Sequence, residues 1–420
     1  MKKYTAVIFL TILLTFLAGP VEAFASFDIS SQKAILIDAQ TGQVLYSKNA
    51  HTASYPASVT KIMTAVLALE RGTLTDYVPI SMRASYIEGS RIYLLEGEKV
   101  TLEQVLYGLM LESGNDAAIA IAEYIAGSVE EFAVMMNDKA VQLGAKNTHF
   151  TNPNGLHDKE HVTTAYDMAL IAKHAMTLPK FREIVNTVRY IIPETNMQDT
   201  RYLYNGNRII KNTSDKYEGA NGIKTGYTAA AKNCFVGSAQ RDGREYITVI
   251  LNEPDNKALW SNTKALLDYA FEGFEQVPVM EAGKVVDNVE FLGSKSEVKI
   301  VTEQGFHYNY PVDGEKPGIK ENIVMDAIKP TVRTGERVGY IEYSIGDEVV
   351  GTVRLIAQRN DQGKVLASGM LKGETGNSKA GLWGFLLVLP VSLLAFRFLA
   401  KNRRRRRSMY IRKRNIFRRK

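Results

Sequence analysis

Apolar and polar positions change their period several times along the chain, and the changes predict its elements. Residues 33–39 and 43–48 are apolar-rich strands joined by a turn at Gln40-Thr41-Gly42. From Ser58 the apolar positions fall as Ile62, Met63, Ala65, Val66, Leu67 and Leu69, which predicts a buried helix ending near Gly72. Thr101-Leu-Glu-Gln104 has the form of a capping box opening a helix over 102–112. Asn115 or Asp116 is expected to cap the next helix, 117–126, and Ser128-Val-Glu-Glu131 is a second capping box for a helix to 142. Beyond a loop-rich stretch, 164–176 reads as helix, and 222–227, 233–239 and 245–251 as strands. The last two are joined at Arg241-Asp-Gly-Arg244, and 257–274 has an amphipathic helical pattern. Strands at both ends with helices between them predict an α+β fold, a mainly antiparallel sheet flanked by helices, rather than a repeated βαβ unit. Residues 284–358 are short apolar segments broken by Gly and Pro, the pattern of a small all-β domain.

Composition changes this picture only at the ends. Of the 420 residues, 45% are hydrophobic, and the net charge of +7 hints at a polyanion partner. The distribution removes the hint. Residues 401–420 hold 12 Lys/Arg and no acid, whereas residues 26–400 hold 38 basic and 44 acidic side chains. A mildly acidic body is a poor nucleic-acid binder, so none is expected. Lys2-Lys3 followed by an apolar run over 6–18 and small residues reads as a signal peptide over 1–25, cleaved after Ala23 or Ala25. Residues 380–400 carry one charge, Arg397, and a helix of that length spans about 30 Å, the thickness of the hydrocarbon core. Arg403 to Arg407 follow directly, which keeps the tail 401–420 cytoplasmic and the body outside the cell membrane as a single-pass protein. The expected layout is a catalytic domain over 26–278, a β-rich domain over 279–362, a Gly/Ser/Lys linker over 363–379, the transmembrane helix and the tail.

Cys234 is the only cysteine, and six histidines are scattered without ligand spacing, so neither a disulfide nor a metal is expected, and no cofactor is implied. The candidate chemistry lies in three short motifs. Ser58-Val-Thr-Lys61 puts a hydroxyl at a helix start and an amine three residues on, on the same face. Amides at that helix end favour negative charge developing on a bound substrate. Desolvation and a second cation, Lys224, are able to lower the pKa of Lys61 until it takes a proton. Ser113-Gly-Asn115 lies in a tight link between helices, with a hydroxyl to relay a proton and an amide to hold a carbonyl. In Lys224-Thr225-Gly226 a strand offers a cation for a carboxylate and a glycine that allows close backbone approach. Singly, each motif reads as well as a helix cap, a surface lysine or an edge strand, and Ser-x-x-Lys recurs at Ser30–Lys33 and Ser296–Lys299. Order, context and the single Lys-Thr-Gly carry the case.

The set resembles the serine penicillin-binding proteins, most closely the low-molecular-mass D-alanyl-D-alanine carboxypeptidases. Tyr-Pro-Ala-Ser-Val-Thr-Lys-Ile-Met-Thr-Ala over 55–65, Leu-Glu-Ser-Gly-Asn-Asp-Ala over 111–117, Thr-Asn-Pro-Asn-Gly-Leu over 151–156 and Asn-Gly-Ile-Lys-Thr-Gly-Tyr over 221–227 carry the likeness across residues 30–275. It implies a β-lactamase/transpeptidase-like domain with a helical subdomain. It also implies peptidoglycan stem peptides as substrates and β-lactams as inhibitors. Ser58 is then the acylated nucleophile, Lys61 the base, Ser113 the relay and Asn115 a substrate contact. Lys224 and Thr225 bind the terminal carboxylate, Gly226 lets the substrate backbone approach, and the backbone N–H groups of Ser58 and Tyr227 form the oxyanion hole. Many members carry an arginine after the strand following Lys-Thr-Gly; residues 251–257 read Leu-Asn-Glu-Pro-Asp-Asn-Lys and have none. The β-lactamase alternative needs a carboxylate for the deacylating water, and only Glu183-Ile-Val-Asn186 approaches that pattern. A catalytically inactive wall-binding protein is the third reading; the intact motifs oppose it.

Overall fold

The computed structural model describes residues 27–290, 297–326 and 332–359. The expected signal peptide, linker, membrane span and tail lie outside them, as does Ser296. Among the described residues no helix is long and apolar enough to cross a membrane.

Strands β1 (Ala34–Asp38) and β2 (Val44–Lys48) form the predicted hairpin. They join β5 (Ala220–Thr228), β6 (Lys232–Arg241) and β7 (Arg244–Glu253) in one antiparallel sheet of order β2-β1-β7-β6-β5. Asp242 and Gly243, at φ 49° and 79°, make the tight β6–β7 turn, a conformation glycine takes without a Cβ penalty. One face of the sheet is closed by α7 (Asn256–Gly273), whose Leu259, Leu266, Leu267 and Phe271 pack with Leu36, Phe235 and Tyr246.

The other face carries the helical layer: α1 (Lys61–Arg71), α2 (Leu102–Leu111), α3 (Asn115–Ala126), α4 (Val129–Gln142), α5 (Ala165–Ala175) and α6 (Pro179–Asn186). Helix α1 is buried on nearly every side, as apolar residues at seven of its eleven positions require. The Thr101 capping box forms with both of its reciprocal bonds. At Ser128 the hydroxyl accepts from Glu131 N at 3.0 Å, an ordinary N-cap. Helix α3 corrects one expectation: it begins at Asn115 behind Gly114, and the Asn115 and Asp116 side chains are turned to other partners. Sequence reading also passed over α6 and a hairpin of β3 (Arg189–Ile192) and β4 (Arg201–Tyr204).

Beyond α7 the elements among the described residues are all strands. Strand β8 (Phe274–Met280), which straddles the expected boundary at 278/279, pairs with β11 (Phe306–Pro311). Strands β9 (Val285–Glu290), β10 (Glu297–Thr302), β12 (Lys320–Met325), β13 (Arg337–Ile345) and β14 (Glu348–Arg359) form a second antiparallel sheet of order β9-β10-β14-β13-β12. The first sheet is tied to the β8–β11 pair through the buried Asp38, which accepts from His307 Nε2 at 2.7 Å and Asn309 Nδ2 at 3.0 Å.

Candidate active site

The site lies where the first turn of the helical layer meets the edge strand β5. Ser58 is not the first residue of an α-helix: it sits in a 3-10 turn, Ala57–Thr60, that runs directly into α1. Pro56 holds the chain in the helical region ahead of that turn, and Ala57, at φ 50°, is a strained position for an alanine. Gly155 lies so close beneath that a Cβ there would stand 1.9 Å from Ala57 O. The strained turn is thus pinned from below by a glycine-only contact.

Lys61 is fully buried, and its Nζ has three oxygen neighbours: Ser58 Oγ at 3.1 Å, Asn115 Oδ1 at 2.8 Å and Asn154 O at 2.6 Å. Burial pushes its pKa well below the ordinary 10.5, the Lys224 charge pushes it further, and Asp116 acts in the opposite direction. Asn115 Nδ2 donates to Glu88 O at 2.7 Å, so Oδ1 is the atom facing Lys61. Asp116, also buried, accepts from the backbone N–H of Ile92 and Leu94 at 3.1 Å each and of Ala117 at 2.9 Å. Burial raises its pKa against those donors. These bonds fasten the 88–94 segment to the start of α3.

Ser113 adopts φ 60° in the link between α2 and α3, and its half-buried hydroxyl makes no hydrogen bond among the described residues. Lys224, on β5, is only 2% exposed, and its Nζ donates to Thr225 O at 3.1 Å. Burial lowers its pKa to about 7, with Glu112 pulling the other way. Thr225 is half-buried and lies beside Gly206, where a Cβ would come 3.4 Å from Thr225 Oγ1. A Cβ on Gly226 would stand 2.8 Å from Ser58 N and 3.0 Å from Val59 N, so β5 presses its bare backbone on the nucleophile turn. Tyr227, next along the strand, is exposed. The arginine-free segment that begins at the end of β7 includes Asn252, at φ 60°, its Nδ2 donating to Ala231 O at 3.2 Å.

The decoy serine-lysine pair separates. Ser30 Oγ bonds Asn262, and Lys33 Nζ bonds Ala53 O and Ser54 Oγ at 2.9 Å. Glu183 of the β-lactamase alternative accepts from Tyr107 Oη at 2.8 Å and Lys180 Nζ at 2.7 Å, neither of them part of the Ser58–Lys61 cluster. Among the described residues no group of three or more His, Cys, Asp or Glu side chains is placed to hold a metal. Four contributors escaped sequence reading: Thr60, Thr64, the Asn154 carbonyl and His161. The hydroxyls at 60 and 64, flanking Lys61 on an otherwise apolar helix, were the signal available.

A serine hydrogen-bonded to a lysine whose pKa is depressed by burial, set at the rim of an antiparallel sheet and opposed by a second buried lysine, defines an acyl-transferring serine hydrolase of the transpeptidase type. A family model described as D-alanyl-D-alanine carboxypeptidase matches residues 20–255, and one described as penicillin-binding protein 5, C-terminal domain, matches 274–362. The chain is 34% identical over 337 residues to the D-alanyl-D-alanine carboxypeptidase DacF of Bacillus subtilis, covering 79% of this chain and 85% of the relative. The crystal structure of penicillin-binding protein 5 from Haemophilus influenzae superposes with a TM-score of 0.64 at 28% identity, covering 80% of this chain and 98% of that one. The D-alanyl-D-alanine carboxypeptidase DacD from Francisella tularensis gives 0.61 at 26%, covering 82% and 97%. The chain belongs to the D-alanyl-D-alanine carboxypeptidase family of serine peptidases.

Proposed function

We propose that the enzyme removes the terminal D-alanine from peptidoglycan stem pentapeptides through an ester on Ser58, and that β-lactams acylate the same oxygen. Neutral Lys61 takes the Ser58 proton as Oγ attacks the carbonyl carbon of the penultimate D-alanine. The resulting oxyanion faces the backbone N–H groups of Ser58 and Tyr227. Its collapse breaks the C–N bond, and the leaving D-alanine amine receives a proton by way of Ser113. Lys224 and Thr225 hold the departing carboxylate, with Gly226 letting it lie close to the strand, and Asn115 holds the amide of the acyl portion. Water then attacks the ester with Lys61 again as base, releasing the shortened peptide and free Ser58.

What carries this reading is the 3.1 Å contact between Ser58 Oγ and the fully buried Lys61 Nζ, a lysine with no carboxylate bonded to it among the described residues. Incubation with a labelled penicillin and with a D-Ala-D-Ala peptide tests it: covalent label on Ser58 and release of free D-alanine are expected. Label without D-alanine release, followed by rapid loss of the label, points to a β-lactamase, and neither result to an inactive binding protein.

The same proposal places the catalytic domain outside the cell, secreted behind the 1–25 signal and held by 380–400 with the arginine tail in the cytoplasm. Protease added to intact, wall-stripped cells then removes everything up to the linker and spares the tail. Digestion of the tail from outside overturns the orientation.

A further inference from the structure

The Thr151–Leu156 segment has a place in the catalytic arrangement that none of the three motifs accounts for. An ammonium has three hydrogens, but the neutral amine needed for catalysis has two and a lone pair. Of the three neighbours of Lys61 Nζ, Asn154 O is acceptor only, and Asn115 Oδ1 is held as acceptor by the Asn115 bond to Glu88 O. Ser58 Oγ is the one neighbour able to donate. Two fixed acceptors therefore take both hydrogens of the neutral amine, and the lone pair is left facing the Ser58 hydroxyl. Half of that device is a backbone carbonyl 93 positions away in the chain.

The carbonyl is held from the same helix that bears Lys61. Thr64 Oγ1, completely buried, donates to Pro153 O at 2.6 Å, so Lys61 and Thr64, one turn apart, grip successive carbonyls. On the other flank His161 bridges helix and loop. Thr151 N donates to its Nδ1 at 3.0 Å, which leaves the hydrogen on Nε2, 2.8 Å from Thr60 Oγ1. Asn152 closes the turn, accepting from Gly155 N at 2.7 Å. Resting on the reading of Lys61 as the base, we propose that Thr64 and His161 are positioning residues, which hold the Asn154 carbonyl where it orients the Lys61 lone pair toward Ser58.

Thr64→Val keeps shape and burial but deletes the donor to Pro153 O; Thr64→Ser keeps the donor; His161→Gln deletes the imidazole bridge. For each full-length variant, the acylation rate by a labelled penicillin is measured against pH and divided by the active-site concentration from end-point labelling. Thr64→Val is expected to acylate on the order of ten-fold more slowly per active site, the worth of one buried hydrogen bond. Its acid limb moves to lower pH, because a displaced carbonyl withdraws an acceptor that favours the ammonium. Lys224 on β5 and Asp116 on α3, the other charges that face Lys61, are untouched, and His161 is neutral there, so they do not supply the shift. Thr64→Ser restores rate and limb, and His161→Gln moves both in the Thr64→Val direction. The proposal is overturned if the variants lose only thermal stability or active fraction while rate per site and limb stay put, or if Thr64→Ser behaves as Thr64→Val. Normal acylation by Lys61→Arg would instead refute the base assignment on which it rests.

Discussion

Lys224 should make the folded protein less stable than a neutral residue in its place, by an amount that depends on pH. The side chain is 2% exposed, and among the described residues its only hydrogen bond is to Thr225 O. Burial brings its pKa from 10.5 to about 7. Below pH 7 the lysine is charged in both folded and unfolded chains, and the fold bears the full desolvation penalty. Between pH 7 and 10.5 the unfolded chain binds a proton that the folded one does not, so stability rises with pH across that window and the penalty is gone above it. At ~1.36 kcal/mol per pH unit the penalty is on the order of 5 kcal/mol, less about 1 kcal/mol for the hydrogen bond that substitution removes. Lys224→Met should therefore unfold at distinctly higher urea than the parent at pH 6, with the advantage shrinking toward zero near pH 10. Trp260, buried on α7 against Phe235, reports unfolding of the catalytic domain by its fluorescence. The same substitution should abolish turnover of free-acid substrates. A stability difference that does not change between pH 6 and 10, or a variant less stable than the parent at pH 6, would refute the reasoning.

Other consequences are simpler to read. Ser58→Ala should lose all β-lactam labelling in intact-mass measurements while melting near the parent temperature; label recovered on Ser30 would sink the assignment. Lys61→Arg places a permanently charged guanidinium where a neutral base is required and should slow acylation by at least about 10²-fold; a stopped-flow acylation rate near that of the parent would exclude the role. Gly226→Ala inserts a methyl 2.8 Å from Ser58 N, a backbone atom with nowhere to retreat, and should cut acylation on the order of 10²-fold through a shifted strand. Parental acylation kinetics in that variant would show that β5 does not set the position of Ser58.

Much of this protein was legible locally, because the signals are short-range. The Ser58–Lys61 spacing works on any helix, and the Thr101 box and the Asp242-Gly243 turn are closed by neighbours in sequence. The strands announce themselves by apolar runs, and their junction with α7 by a change of period. Local signals also misled where a residue had a distant suitor: Asn115 and Asp116 look like caps, but their side chains are claimed by Lys61, Glu88 and the 92–94 backbone. Helix α6 and the β3–β4 hairpin lack long apolar periods; they are held by contacts such as the Arg201–Glu98 ion pair and Tyr107 stacked on Tyr190.

By itself, then, the sequence determined which groups were present and which of them stood one helical turn apart, since both follow from covalent order and helix geometry. Only the tertiary structure decided what those groups are chemically. A lysine becomes a base when packing excludes water from it, sets Lys224 near it and brings the Asn154 carbonyl to its amine. Desolvation and charge proximity belong to the assembled core, where segments a hundred residues apart first meet, and no local pattern encodes them.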